Sequence, residues 1–125
     1  MSMQSNFAVH THTTARTTTV ALSGELDLVA GPALDRASGD QAEWDVDLVV
    51  VDLRRLDFMD STGLHAVLRI QQGAQELGRR FAVIRGPDQV QRLFELTGLA
   101  ETLTIVDSPE QLLEGWAPPE PTVTP

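Results

Sequence analysis

The chain has 125 residues, enough for one domain around one core, with 42% hydrophobic content. Its formal net charge is -9, and all of its cations are arginines, adjacent only at Arg54–Arg55 and Arg79–Arg80. Such a surface is repelled by nucleic-acid phosphates, so no nucleic-acid partner is expected. There is no cysteine, hence no disulfide, thiolate metal site or thiol nucleophile. No apolar run approaches the ~20 residues that cross a bilayer, and the N-terminus lacks a charged-then-apolar signal pattern. The expected location is cytoplasmic, with no membrane partner.

In chain order, "NFAVHTHT" alternates weakly and reads as an edge strand that pairs with the next strand, "TTTVALSGELD". His10 and His12 would share one face of that edge strand. Two histidines without a third ligand do not make a metal site. "AGPALDRAS" reads as a helix with Pro32 in its first turn and Ala30, Leu34 and Ala37 on one face. "SGDQAEWD" is a turn-rich connector whose Trp44 covers one end of the core. "VDLVVVDL", Val46 to Leu53, has the continuous β-branched and aliphatic character of a strand buried on both faces.

"RRLDFM" leads out of that strand to a helix that begins near Ser61, carries Leu64, Val67, Leu68, Ala74 and Leu77, and is closed by Gly78. "RRFAVIRG" is a strand, "PDQVQRLFELTGL" a helix opened by Pro87 and ended by Gly98, and "TLTIV" a short strand. "DSPEQLLEGW" is a final helix with Ser108 as cap and Pro109 in its first turn. The order β-β-α-β-α-β-α-β-α predicts an α/β fold: a small mixed sheet of about five strands with right-handed crossover helices. Residues 1–6 form an N-terminal extension, 7–116 the domain, and the proline-rich 117–125 a disordered tail.

The chemistry-bearing stretch is "LDFMDSTGLHAVL", Leu56 to Leu68. It lies at a strand-to-helix junction, where sites of α/β proteins commonly sit. The amides of Thr62, Gly63 and Leu64 at the helix start lack intrahelical acceptors and suit an anion. One reading is purely structural: Ser61 or Asp60 caps the helix, worth ~1 kcal/mol. A catalytic reading needs a base. His65 lies four residues after Ser61, but nothing nearby in sequence orients it, and Met59 and Gly63 do not form a Gly-x-Ser-x-Gly elbow. Asp57 and Asp60 could bind a metal or accept phosphate, but a phospho-accepting aspartate needs further acids to hold magnesium, and Asp52 is the only other acid close in sequence. No P-loop is present. We therefore expect no enzyme, no metal and no cofactor. The third reading is modification: a phosphoserine would add ~1.5 to 2 negative charges beside Asp57 and Asp60 and repel a partner bound there.

"LDFMDSTGL" resembles the signature of STAS-domain anti-anti-sigma factors, the anti-sigma factor antagonists of bacterial sporulation and general stress. The resemblance extends to "VALSGELDLVAGPAL", "VVVDLRRLDFMDSTGLHAVL" and "QVQRLFELTGLAETLTI", in family order across residues 7 to 115. It implies the STAS fold, with about four helices packed mostly on one sheet face. It implies that the unphosphorylated protein binds an anti-sigma factor, itself a serine kinase using ATP and magnesium, and so frees a sigma factor. Phosphorylation of Ser61 switches binding off, and a phosphatase reverses it. Asp27, Asp57, Asp60, Thr62 and Gly63 are the implied switch and partner-binding positions around Ser61. His65 departs from the pattern, since a small residue such as glycine often stands there. The alternative reading is a scaffold or accessory subunit of another assembly, a stressosome or a lipid-transport complex, because fold does not fix function.

Overall fold

The register of three parallel strand pairs organises the molecule. A computed structural model describes residues 6–113. Its strands are β1 (Phe7–Thr14), β2 (Thr17–Leu26), β3 (Leu48–Met59), β4 (Arg80–Ile84) and β5 (Ile105–Val106). Its helices are α1 (Gly31–Ser38), α2 (Ser61–Glu76), α3 (Asp88–Leu96) and α4 (Glu110–Leu113). The sheet order is β1-β2-β3-β4-β5, with β1 antiparallel to β2 and every later pair parallel. The mixed five-stranded sheet expected from the sequence is present.

That order accounts for a one-sided helix layer. Strands laid down in one direction and joined by right-handed crossovers carry each connecting helix over the same face. Leu34, Leu64, Val67, Ile70, Val90 and Phe94 of α1 to α3 accordingly share a core with Val20, Leu22, Val49, Val51, Leu53, Phe81 and Val83 of the sheet. Burying each such side chain contributes about 1.5–3 kcal/mol relative to exposure. On the opposite face, Val50, Ile84 and Val106 form a smaller cluster that Leu112 of α4 covers. Along β1, His10 and His12 lie opposite Ala21 and Thr19, so both fall on this open face, as their alternation predicts.

Several element boundaries differ from the sequence reading. β3 does not end at Leu53 but continues to Met59. Its pairing with β2 steps from Ala21↔Asp52 to Ser23↔Arg55, and from Gly24↔Leu56 to Glu25↔Phe58. Each step inserts one extra residue into β3, a bulge that interrupts strict alternation. The buried positions then fall at Leu53, Leu56 and Met59, three apart instead of two. In α2, Ile70 is buried, while Leu68 is half-buried and Leu77 lies beyond the helix, exposed. β5 is shorter than "TLTIV". The last residues of the expected final helix, including Trp116, and the expected tail 117–125 lie outside the described residues.

Arg79 is buried and donates to the carbonyls of Gln41 and Trp44, clasping the connector before β3 against the end of α2. Trp44 packs, half-buried, on the core.

The β1–β2 hairpin turns through two residues, Ala15 (φ 51) and Arg16 (φ 58), both in the left-handed region. This is the twist that a two-residue hairpin favours, but without the Asn-Gly that usually supplies it. Arg16 is held by Asp47 at 2.8 Å and Asp45 at 3.2 Å. A left-handed conformation costs an ordinary side chain roughly 1–2 kcal/mol. Ala15→Asn is therefore expected to stabilise the fold by about 0.5–1 kcal/mol, seen as a raised urea midpoint with unchanged slope.

Candidate functional site

The site is built where β2 and β3 end side by side. Leu26 and Met59 are opposed in the parallel ladder, so Asp27 and Asp60 emerge from adjacent strand ends. The Asp60 N–H donates to the Leu26 carbonyl at 3.3 Å. One residue later the chain turns into α2, whose start presses on the same carbonyl. A Cβ placed on Gly63 would lie 2.3 Å from the Leu26 oxygen and 2.8 Å from Leu26 Cγ. Only a residue without a side chain fits there, and that contact sets how closely α2 lies against the sheet.

The structure separates the two capping alternatives. Asp60 is the N-cap: its Oδ1 accepts the Gly63 N–H at 2.9 Å, and its carbonyl accepts the Leu64 N–H at 2.9 Å. Two of the three amides expected to face an anion, those of Gly63 and Leu64, are thus already engaged. The anion-ready helix start is correspondingly smaller than the sequence suggested. With Asp60 as cap, the Ser61 and Thr62 side chains are left exposed on the first turn of α2.

Asp27 organises the neighbouring loop. Its Oδ1 accepts the N–H groups of Val29 at 3.0 Å and Ala30 at 3.1 Å, closing the turn into α1. That turn leaves Leu28 70% exposed and Val29 65% exposed, and Phe58 near the end of β3 is 47% exposed. Sequence reasoning passed over these three. The available signal was the Leu-Val pair between the Asp27 turn and Pro32, a stretch too short to turn both side chains into the core.

Asp57 occupies the second β3 bulge. Its carbonyl accepts from Gln89 Nε2 at 3.0 Å. It lines an open depression of about 580 Å³ with Asn6, Phe7, Ala8, Ser23, Gly24 and Arg55, a set that does not include Ser61. Asp52 is drawn to Arg54, 2.9 Å away. Burial opposes its charge, but the Arg54 guanidinium and N–H outweigh that and hold the carboxyl below the usual range. Asp52 is therefore not gathered with Asp57 and Asp60. His65 is exposed on α2. Among the described residues, no group of three or more histidines and carboxylates is arranged to hold a metal ion, and no helix is long and apolar enough to cross a membrane.

A one-sided α/β sheet with a capped helix start at the ends of its central strands defines a class, and sequence comparison names it. The family described as Mlab, STAS domain matches residues 9–107, and the chain belongs to the STAS-domain family. It is 26% identical over 105 residues to the anti-sigma-B factor antagonist of Staphylococcus aureus strain NCTC 8325 / PS 47, covering 84% of this chain and 97% of that protein. Among solved structures it resembles an anti-sigma factor antagonist from Mycobacterium paratuberculosis, with TM-score 0.76 and 26% identity over 86% of this chain and 92% of that one. It shares its fold with the anti-sigma factor antagonist SpoIIAA, solved unphosphorylated, with TM-score 0.71 and 23% identity over 89% of this chain and all of that one. The phosphorylated form of SpoIIAA matches with TM-score 0.67 and 22% identity, over 86% of this chain and 98% of that one.

Capping geometry separates three neighbouring residues energetically. Gly63→Ala is expected to cost about 1–3 kcal/mol through overpacking, and Asp60→Ala about 1 kcal/mol through the lost cap. Ser61→Ala should stay within about 0.5 kcal/mol of the parent, since Ser61 caps nothing. Urea denaturation of the three variants checks the order.

Proposed function

We propose that this chain is an anti-sigma factor antagonist. Its unphosphorylated face, formed by Ser61 and Thr62 with Asp27, Asp60, Gly63 and Asp57 around them, binds an anti-sigma factor and releases the sigma factor held by it. The anti-sigma factor is a serine kinase. It transfers the γ-phosphoryl group of ATP to Ser61 Oγ, ADP leaves, and binding ends. A phosphoserine phosphatase hydrolyses the ester and restores the face. The chain itself is a regulatory binding module with no catalytic residue.

The observation that carries this reading is the division of labour at the start of α2. Asp60 takes the structural role of cap, so the Ser61 hydroxyl stands exposed, free to be modified without loosening the helix. Leu28 and Val29 follow the end of β2, Phe58 lies three residues before Ser61, and all three are exposed, so they are available as apolar contacts for a partner. A phosphate on Ser61 would bring ~1.5 to 2 negative charges to the first turn of α2. The Gly63 and Leu64 amides are already committed to Asp60, so they add little to its stabilisation. The Asp60 and Asp27 carboxyl groups stand at the same strand ends, and the new charge would have to be desolvated wherever a partner seats on the apolar rim. Both effects oppose the partner without requiring the domain to refold.

The test is co-purification from the native host, with the captured partner then used for binding and phosphate transfer. Ser61→Ala is expected to keep partner binding and to take up no phosphate from ATP. Ser61→Asp should weaken binding about tenfold or more, the scale of a like charge at a desolvated contact. Phosphate entering Ser61→Ala would move the acceptor to Thr62, the adjacent exposed hydroxyl. Recovery of a membrane transporter or a multi-subunit scaffold, without a kinase, would instead support an accessory role in a lipid-transport complex or stressosome.

A further inference from the structure

The two edges of the sheet are built differently. β5 is two residues long, is followed at once by Asp107 and Pro109, and lies beside the α4 residue Leu112. Short length, a charge and a proline are the usual ways of stopping an edge from pairing with another chain. β1 has none of these. It runs for eight residues, "FAVHTHTT", pairs with β2 without a bulge, and contains no lysine, arginine, aspartate, glutamate or proline. Ala8 and His10 to Thr14 are exposed. Among the described residues no strand pairs with its outer side.

The strand is also held in shape at both ends. At the Phe7 end, the Glu25 N–H donates to the Asn6 carbonyl at 2.7 Å. At the other end Arg16 is tied to Asp45 and Asp47. A backbone edge fixed in this way loses little freedom when it acquires a partner.

Charge selects the partner. The chain carries a net charge of -9, so two copies repel each other over most of their surface. All 18 acidic residues lie at Glu25 or later, which leaves β1 and the β2 residues paired with it, Thr17 to Gly24, without a carboxylate. We infer that the outer edge of β1 is a self-association surface, on which a second copy of this chain adds its own β1 antiparallel to form one continuous ten-stranded sheet. A two-fold axis perpendicular to the sheet keeps each face on its own side, so opposed residues must have the same parity. The axis therefore passes through His10 or Thr11. Either register pairs seven residues per strand and gathers His10 and His12 of both copies on the open face. Ser61 follows β3, two strands in from this edge, so both switch sites of the dimer stay accessible.

Sedimentation equilibrium of the full chain tests this, followed to about 100 µM because a single strand pair is a small interface. The weight-average mass is expected to rise from 13.6 kDa towards twice that value. Thr11→Lys and Ala8→Lys each put a cation on the edge while lowering the net negative charge. If association reflected general electrostatics, both would strengthen it. Edge pairing predicts that both weaken it at least tenfold with an unchanged circular dichroism spectrum, while Thr11→Val associates at least as well as the parent. A parent chain that stays at 13.6 kDa throughout, or a dimer that survives both lysine variants, overturns the proposal.

Discussion

Gly63 against the Leu26 carbonyl is the contact on which the rest of the site depends. It lets the first turn of α2 settle onto the end of β2 at a distance no other residue type permits. The close seating brings the Asp60 N–H to the same carbonyl and its carboxylate to the Gly63 N–H. Since the third helical position must be glycine, it cannot carry the Glu or Gln that would complete a reciprocal capping box. Asp60 therefore caps alone. Everything that makes Ser61 available follows from that assignment, because a serine required as cap could not be modified without weakening the helix it starts.

The sheet imposes a second constraint. Four parallel strands in sequential order place α1, α2 and α3 on one face and, among the described residues, leave the other to α4. The strand ends at which Asp27 and Ser61 emerge are thus the meeting point of the helix layer and the sheet. The two β3 bulges extend the central strand by enough to bring Met59 level with Leu26. Without them β3 would outrun β2, and the two loops that form the site would not end together.

Much of this was legible in the residues. Element order, the mixed sheet, the shared face of His10 and His12, and the junction at Ser61 follow from periodicities of 2 and 3.6 and from proline and glycine punctuation. What periodicity could not reveal lies where it is broken. The continuation of β3 through "RRLDFM" shows no strand period because its buried residues are three apart, a spacing produced by bulges in the pairing with β2. The exposed Leu28, Val29 and Phe58 look in sequence like any apolar residues bordering a strand. Their exposure follows from the Asp27 turn and from the end of the sheet, neither of which is local.

The sequence by itself determined the fold class, the family resemblance and the hydroxyl pair at the start of α2, because local chemistry and element order are written residue by residue. Only the tertiary structure decided which side chain caps that helix, why Gly63 must be glycine, and which acids share the site. Those outcomes depend on Leu26, 37 positions before Gly63 in the chain, and on a bulged register between two strands. Contacts of that kind arise from packing distant segments together, and no pattern along the chain encodes their distances.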